Sequence, residues 1–146
     1  ELNEIKEALE DYTPTNNRSQ IIQKGTNKII LDAYNANPTS MKAALENFSA
    51  LKDDTKIAFL GDMFELGADA IQEHQTILDL STSLNIEAVY LVGENFFKSE
   101  NKSDKAIQFI SFETLKEKLN TLEIRNTTLL IKGSRGLALE RILDLV

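Results

Sequence analysis

The chain has no cysteine, no tryptophan, a single histidine and only two prolines among its 146 residues. Without cysteine there is neither a disulfide framework nor a thiolate metal site. One histidine without cysteine leaves too few soft ligands for zinc. No apolar run approaches membrane-spanning length. The opening ELNEIKEALEDY has no basic and then apolar pattern, so it is not a signal peptide. A cytoplasmic location is compatible with all of this. Cations are in the minority: 16 Lys and Arg face 23 Asp and Glu, for a net charge of −7. That balance argues against a nucleic-acid partner, whose phosphates need lysine and arginine. A nucleotide needs only one or two local cations and stays possible. Several catalytic signatures are missing too: no G-x-x-x-x-G-K-[ST], no G-x-G-x-x-G after a strand, no H-E-x-x-H and no G-x-S-x-G. No complete phosphoryl-transfer or hydrolytic centre is visible.

What remains is an ordinary globular composition, 42% apolar and 27% charged, of a size suited to one domain. The first residue is Glu1 rather than Met, so the expectation is a domain cut from a larger protein.

The periodicity predicts a short helix over residues 2–10, with Leu2, Ile5, Ala8 and Leu9 on one face, and then a Thr-, Asn- and Pro-rich hinge. Gln20–Gln23 and Lys28–Asp32 read as a hairpin turning through KGTN. Pro38–Leu51 reads as a helix with Met41, Ala44, Leu45, Phe48 and Leu51 inward, Asn37 as N-cap and Pro38 as its first residue. Strands are expected at Lys56–Leu60, Ala88–Val92, Ala106–Ile110 and Thr127–Ile131. Between them, residues 69–84 carry a stripe of Ile71, His74, Leu78, Ser81 and Leu84, and Ser111 opens a helix with Leu115, Leu119 and Leu122. Ser134 is expected to cap a last helix that turns Leu139, Ile142, Leu143 and Val146 inward. Strands alternating with helices imply a mostly parallel sheet with helices on both faces, a Rossmann-like three-layer α/β domain with an N-terminal hairpin.

Four of those strands end in polar or glycine-rich turns: LDAYNANP, LGDMFELG, LVGEN and IKGSRG. In a parallel sheet all four share one edge, where open α/β folds build ligand sites. Asp32 resembles the strand-end carboxylate that accepts ribose hydroxyls, or is a solvated turn residue. Lys132, Ser134 and Arg135 can gather an anion at a helix start, or be a capped helix with a surface arginine. Asn37 and Pro38 can serve as a plain helix cap. His74 is more simply a packed, hydrogen-bonded residue than a catalytic one.

Taken in order, NNRSQ, DAYNANPTSM, LGDMFELG with His74 following, LVGEN and IKGSRG resemble the carboxy-terminal domain of Mur ligases. The likeness runs from about residue 9 to the end. The YNANP and GDM-x-ELG elements point to the type that adds D-alanyl-D-alanine to UDP-N-acetylmuramoyl-tripeptide. Folylpolyglutamate synthase is a relative. The resemblance implies that residues 1–17 close a central domain and its hinge, and that residues 18–146 form the C-terminal domain. It implies an ATP-consuming, ADP-forming amide synthesis in peptidoglycan assembly, by a monomeric cytoplasmic enzyme, with Mg2+ held mainly by the central domain. It implies nucleotide contacts from Arg18, Asp32, Tyr34 and Asn35. Substrate contacts are implied for Asn35, Asn37, Asp62, Lys132, Ser134 and Arg135. Where many relatives have glycine before the hinge arginine, this chain has Asn17. The reading from another class is a signalling receiver domain, whose aspartates and lysine Asp32, Asp62 and Lys132 would mimic. Against it, the first strand ends in one carboxylate rather than a pair, and Lys132 precedes Gly133 rather than a proline.

Overall fold

The computed structural model describes residues 20–32, 36–53 and 55–146. The expected helix at 2–10, the hinge, Arg18, Tyr34 and Asn35 lie outside the described residues.

Two strands, β1 (Gln20–Lys24) and β2 (Asn27–Asp32), form the expected antiparallel hairpin. The chain then runs through α1 (Pro38–Ser49), β3 (Lys56–Gly61), α2 (Ala70–Ser83), β4 (Ala88–Val92), α3 (Glu94–Lys98), β5 (Ala106–Phe109), α4 (Phe112–Leu119) and β6 (Thr128–Lys132). The six-stranded sheet has the order β1-β2-β6-β3-β4-β5. Every pairing beyond the hairpin is parallel.

Alternation along the strands separates two cores. Ile30, Ala58, Leu91 and Leu130 point to one face, under Met41, Leu45 and Phe48 of α1, Ile77 and Leu78 of α2, and Phe96 of α3. Ile29, Phe59, Val92, Leu129 and Ile131 point to the other, under Leu115 and Leu119 of α4 and Leu139 and Ile142 of the tail. β6, buried at each of its residues, is the spine of both. The three-layer α/β expectation is met, and strands covered on both faces need the near-continuous apolar runs seen in the sequence.

The topology also sets where a site can form. From β2 to β5 the helical crossovers pack on one face, and the return to β6 passes α4 over the other. The chain therefore leaves β2 and β3 toward one face, and leaves β6, which lies between them, toward the other. Such a reversal, at the carboxyl ends of these three strands, is where open α/β folds place their ligand sites.

Several local expectations are corrected. The last segment is not an α-helix but two 3-10 turns, Arg135–Leu137 and Leu139–Asp144. Ala138, left-handed at φ 49°, separates them, and the Ser134 side chain makes no capping bond. Leu139 and Ile142 are buried as expected, while Leu143 and Val146 are only half-buried. Ile71 does not face the core. It is 75% exposed at the start of α2, where a 3-10 turn over Gly67–Asp69 rotates the stripe. Ile110 lies past the end of β5 and is exposed. The short helix α3 was not legible, because LVGEN reads as a simple turn.

Candidate functional site at the carboxyl edge of the sheet

Parallel register puts Asp32 and Lys132 side by side at the ends of β2 and β6. Lys132 Nζ donates to Asp32 Oδ2 at 2.6 Å, and both side chains are 0% exposed. Burial pushes the Lys132 ammonium below the ordinary lysine range, and the Asp32 carboxylate acts in the opposite sense. The reading of Asp32 as a solvated turn residue is thus corrected. Asp32 sits at the expected edge but is buried in an ion pair. A ribose contact through it requires an exposure that this domain by itself does not have.

The neighbouring strand β3 delivers Asp62, which is 3% exposed. Its Oδ2 accepts from the Asn95 N–H at 2.8 Å and its Oδ1 from the Phe96 N–H at 3.0 Å. Asp62 therefore caps α3 from the end of the adjacent strand, 33 positions away in sequence, where a negative group meets unpaired amides and the positive end of the helix dipole. Gly93, the residue before that helix, supplies no side chain of its own. It adopts φ 127°, and a Cβ there would lie 2.3 Å from the Asp62 carboxyl carbon. This is the function that sequence reasoning missed. One signal could have found it: ENFFK opens after a glycine, with no local acceptor for its first amides.

His74 of α2 is fully buried. Its Nε2 accepts from the Met63 N–H at 2.9 Å, and Nδ1 lies 2.6 Å from the Ala70 carbonyl. Accepting at Nε2 fixes the proton on Nδ1. The Asp62 carboxylate lies 3.7 Å from Nε2. That is too far for a hydrogen bond, and the tautomer leaves no proton between them. His74 is the packed residue that its stripe suggested, with an edge-on contact to Phe96.

Asn37 is exposed at the start of α1, and its side chain accepts from Ser40 N at 2.9 Å while Ser40 Oγ accepts from Asn37 N. The expected cap is a reciprocal capping box. Ser134 is buried and extended, its N–H directed at the Asp62 carbonyl at 3.4 Å, and Arg135 is exposed on the 3-10 turn that follows. The structure thus gathers Asp32, Asp62, Lys132 and Ser134 at the ends of three adjacent strands. Among the described residues no group of three or more histidine or acidic side chains could hold a metal ion. Asp32 is engaged by Lys132 and Asp62 by backbone amides, so these residues do not fit the magnesium that the resemblance implies. No described helix is long and apolar enough to cross a membrane.

The model of the family described as "Mur ligase, glutamate ligase domain" matches residues 17–135. The chain belongs to this Mur ligase family. Among its relatives is the UDP-N-acetylmuramoyl-tripeptide--D-alanyl-D-alanine ligase of Treponema pallidum, 34% identical over 95% of this chain and 31% of the relative. The ligase of the same name from Rickettsia prowazekii is 35% identical over 93% of this chain and 31% of the relative. A crystal structure of MurF from Acinetobacter baumannii superposes with a TM-score of 0.74 at 30% identity, covering 98% of this chain and 32% of that one. MurF ligase from Thermotoga maritima, in complex with ADP, gives 0.69 at 27% identity, covering 92% of this chain and 31% of that one. The Mur ligase domain described here thus spans about a third of the length of the curated relatives it matches.

Proposed function

We propose that this Mur ligase domain is the C-terminal part of an ADP-forming amide ligase that joins D-alanyl-D-alanine to UDP-N-acetylmuramoyl-tripeptide. The observation that carries this reading is the 34% identity to the T. pallidum ligase along 95% of the chain, which includes every turn of the carboxyl edge. The geometry agrees with a partial site, with buried polar groups gathered at the strand reversal, and the sequence has no phosphate-binding loop motif. Residues 1–17 then close the preceding domain and residues 18–146 form this one, in a monomeric cytoplasmic enzyme. ATP is a substrate. It phosphorylates the tripeptide carboxylate, the dipeptide amine attacks the acyl phosphate, and phosphate leaves. Magnesium, held by the rest of the enzyme, would supply charge neutralisation on the phosphates.

This domain's part is binding, orientation and exclusion of water from the acyl phosphate. Arg18, Tyr34 and Asn35 take the nucleotide, with Asp32 at the ribose once it becomes exposed. Asn35, Asn37, Ser134 and Arg135 face the peptide substrates. Lys132 and Asp62 act from behind that face, the first by holding Asp32 and the second by holding the turns.

The test is ADP release by the full-length ligase. Release should require both UDP-N-acetylmuramoyl-tripeptide and D-alanyl-D-alanine, and the domain alone should release none. Glutamate addition to a folate would instead favour the folylpolyglutamate synthase reading. Aspartyl phosphorylation by acetyl phosphate would favour a receiver.

A further inference from the structure

We infer that Asp62 and His74 are positioning residues that lock three turns of the carboxyl edge into one body, an inference that rests on the ligase reading for its choice of substrate. The peptide joining Asp62 to Met63 is a single planar unit. At one end its N–H donates to His74 Nε2 at 2.9 Å; at the other its carbonyl faces the Ser134 N–H at 3.4 Å. The Asp62 side chain meanwhile accepts from Asn95 and Phe96. Its own N–H donates to the Val92 carbonyl at 2.9 Å.

One residue and one peptide plane therefore tie together the ends of β3, β4 and β6 and the starts of α3 and the 134–137 turn. Rotation of that plane breaks the bonds at both of its ends. His74 prevents rotation because its ring is itself fixed by Ala70, and it is buried where no water can replace it. The next residue strengthens the tie. The Phe64 ring lies over Gly136, with Cε2 2.9 Å from where a Cβ would sit. Glu65 then takes the left-handed φ of 65°, a strained conformation for a residue with a side chain.

The linked turns carry Ser134 and Arg135, the residues assigned above to the peptide substrates. Asp32 is held on β2 and through Lys132 of β6, upstream of the linked 134–137 turn. Loosening the linkage should therefore move the dipeptide contacts and leave the nucleotide contacts in place.

The experiment uses the full-length ligase with Asp62→Asn, His74→Phe and His74→Gln. Asparagine keeps the shape of Asp62 but has one acceptor oxygen for two amides. Phenylalanine fills the His74 site without an acceptor, and glutamine places an oxygen near the Nε2 position. Asp62→Asn and His74→Phe should raise the KM for D-alanyl-D-alanine about ten- to a hundredfold and change the KM for ATP by less than about twofold. His74→Gln should stay close to the parent enzyme. Amide hydrogen exchange gives a readout independent of turnover: Asp62→Asn should quicken Ser134 and Leu137 as well as Asn95 and Phe96. Parallel rises in both KM values, or a lower active fraction with both KM values unchanged, would overturn the inference. So would faster exchange confined to Asn95 and Phe96. If the parent enzyme shows no dipeptide-dependent ADP release, the ligase reading has failed, and the exchange pattern alone decides whether the turns are coupled.

Discussion

The two edges of the sheet treat buried charge in opposite ways. At the amino edge, lysines end on main-chain carbonyls. Lys56 Nζ donates to the carbonyls of Ser49, the last residue of α1, and Leu51 at 2.7 Å each, and Lys105 Nζ donates to Leu84 at 2.8 Å, just past α2. Lys24 does the same for Leu143 in the tail. Each cation meets the negative end of a helix or turn and closes off its unpaired carbonyls. At the carboxyl edge, charges meet side chains or amides from remote strands, as Asp32 meets Lys132 and Asp62 meets α3. The amino-edge lysines therefore close off helix and tail ends away from the candidate site, whereas the carboxyl-edge charges hold the turns that form it. Loss of a charge should cost stability at either edge, but only at the carboxyl edge should it also change the shape of the site.

The sharpest way to break this comparison is Asp32→Ala. It leaves Lys132 buried without its carboxylate and should cost about 3–5 kcal/mol in urea unfolding. Replacing both members, Asp32→Leu with Lys132→Met, should recover most of that loss. A cost below 1 kcal/mol, on the order of an exposed pair, would show that the pair is solvated in the folded chain.

Gly93→Ala should rank next. Backbone strain alone is worth about 1–3 kcal/mol, and the new methyl must also displace the Asp62 carboxylate. A calorimetric melt matching the parent would mean that Asp62 does not sit against Gly93. Asn37→Ala should cost about 0.5–2 kcal/mol by loss of the capping box, in the same unfolding assay. That cost should be confined to α1, with the exchange of Asn95 and Ser134 unaltered.

The smallest effect belongs to the amino edge and is read through pH. Burial pushes Lys56 below the ordinary lysine range, and Asp53 partly opposes this. In the window between its folded and unfolded pKa values the unfolded chain holds more protons, so this lysine's contribution to stability rises with pH there. Lys56→Met should flatten the alkaline limb of a stability–pH curve. An unchanged limb would assign the slope to other groups.

The architecture was legible because it rests on local rules. Apolar strand runs, the stripe of α1 and the Asn37 and Ser111 caps are written within a few residues of where they act, and these stand in the structure. The tail was misread for an equally local reason. Leu139, Ile142 and Leu143 suit a helix by spacing, but packing over the Gly61–Gly133 approach places Leu137 and Leu139 against backbone and favours tight 3-10 turns. Helix α3 was missed because its cap lies on another strand.

By itself, then, the sequence determined the order of strands and helices, the three-layer parallel fold, the edge that carries the polar turns, and the likeness to Mur ligases. Only the tertiary structure decided what those polar residues do. Asp32 and Lys132 are 100 positions apart, and Asp62 and Asn95 are 33 apart. Nothing local distinguishes a carboxylate that will face solvent from one that a neighbouring strand will bury. That distinction arises when β6 inserts between β2 and β3 and removes water from the ends of all three, so that each buried charge must find its partner within the protein.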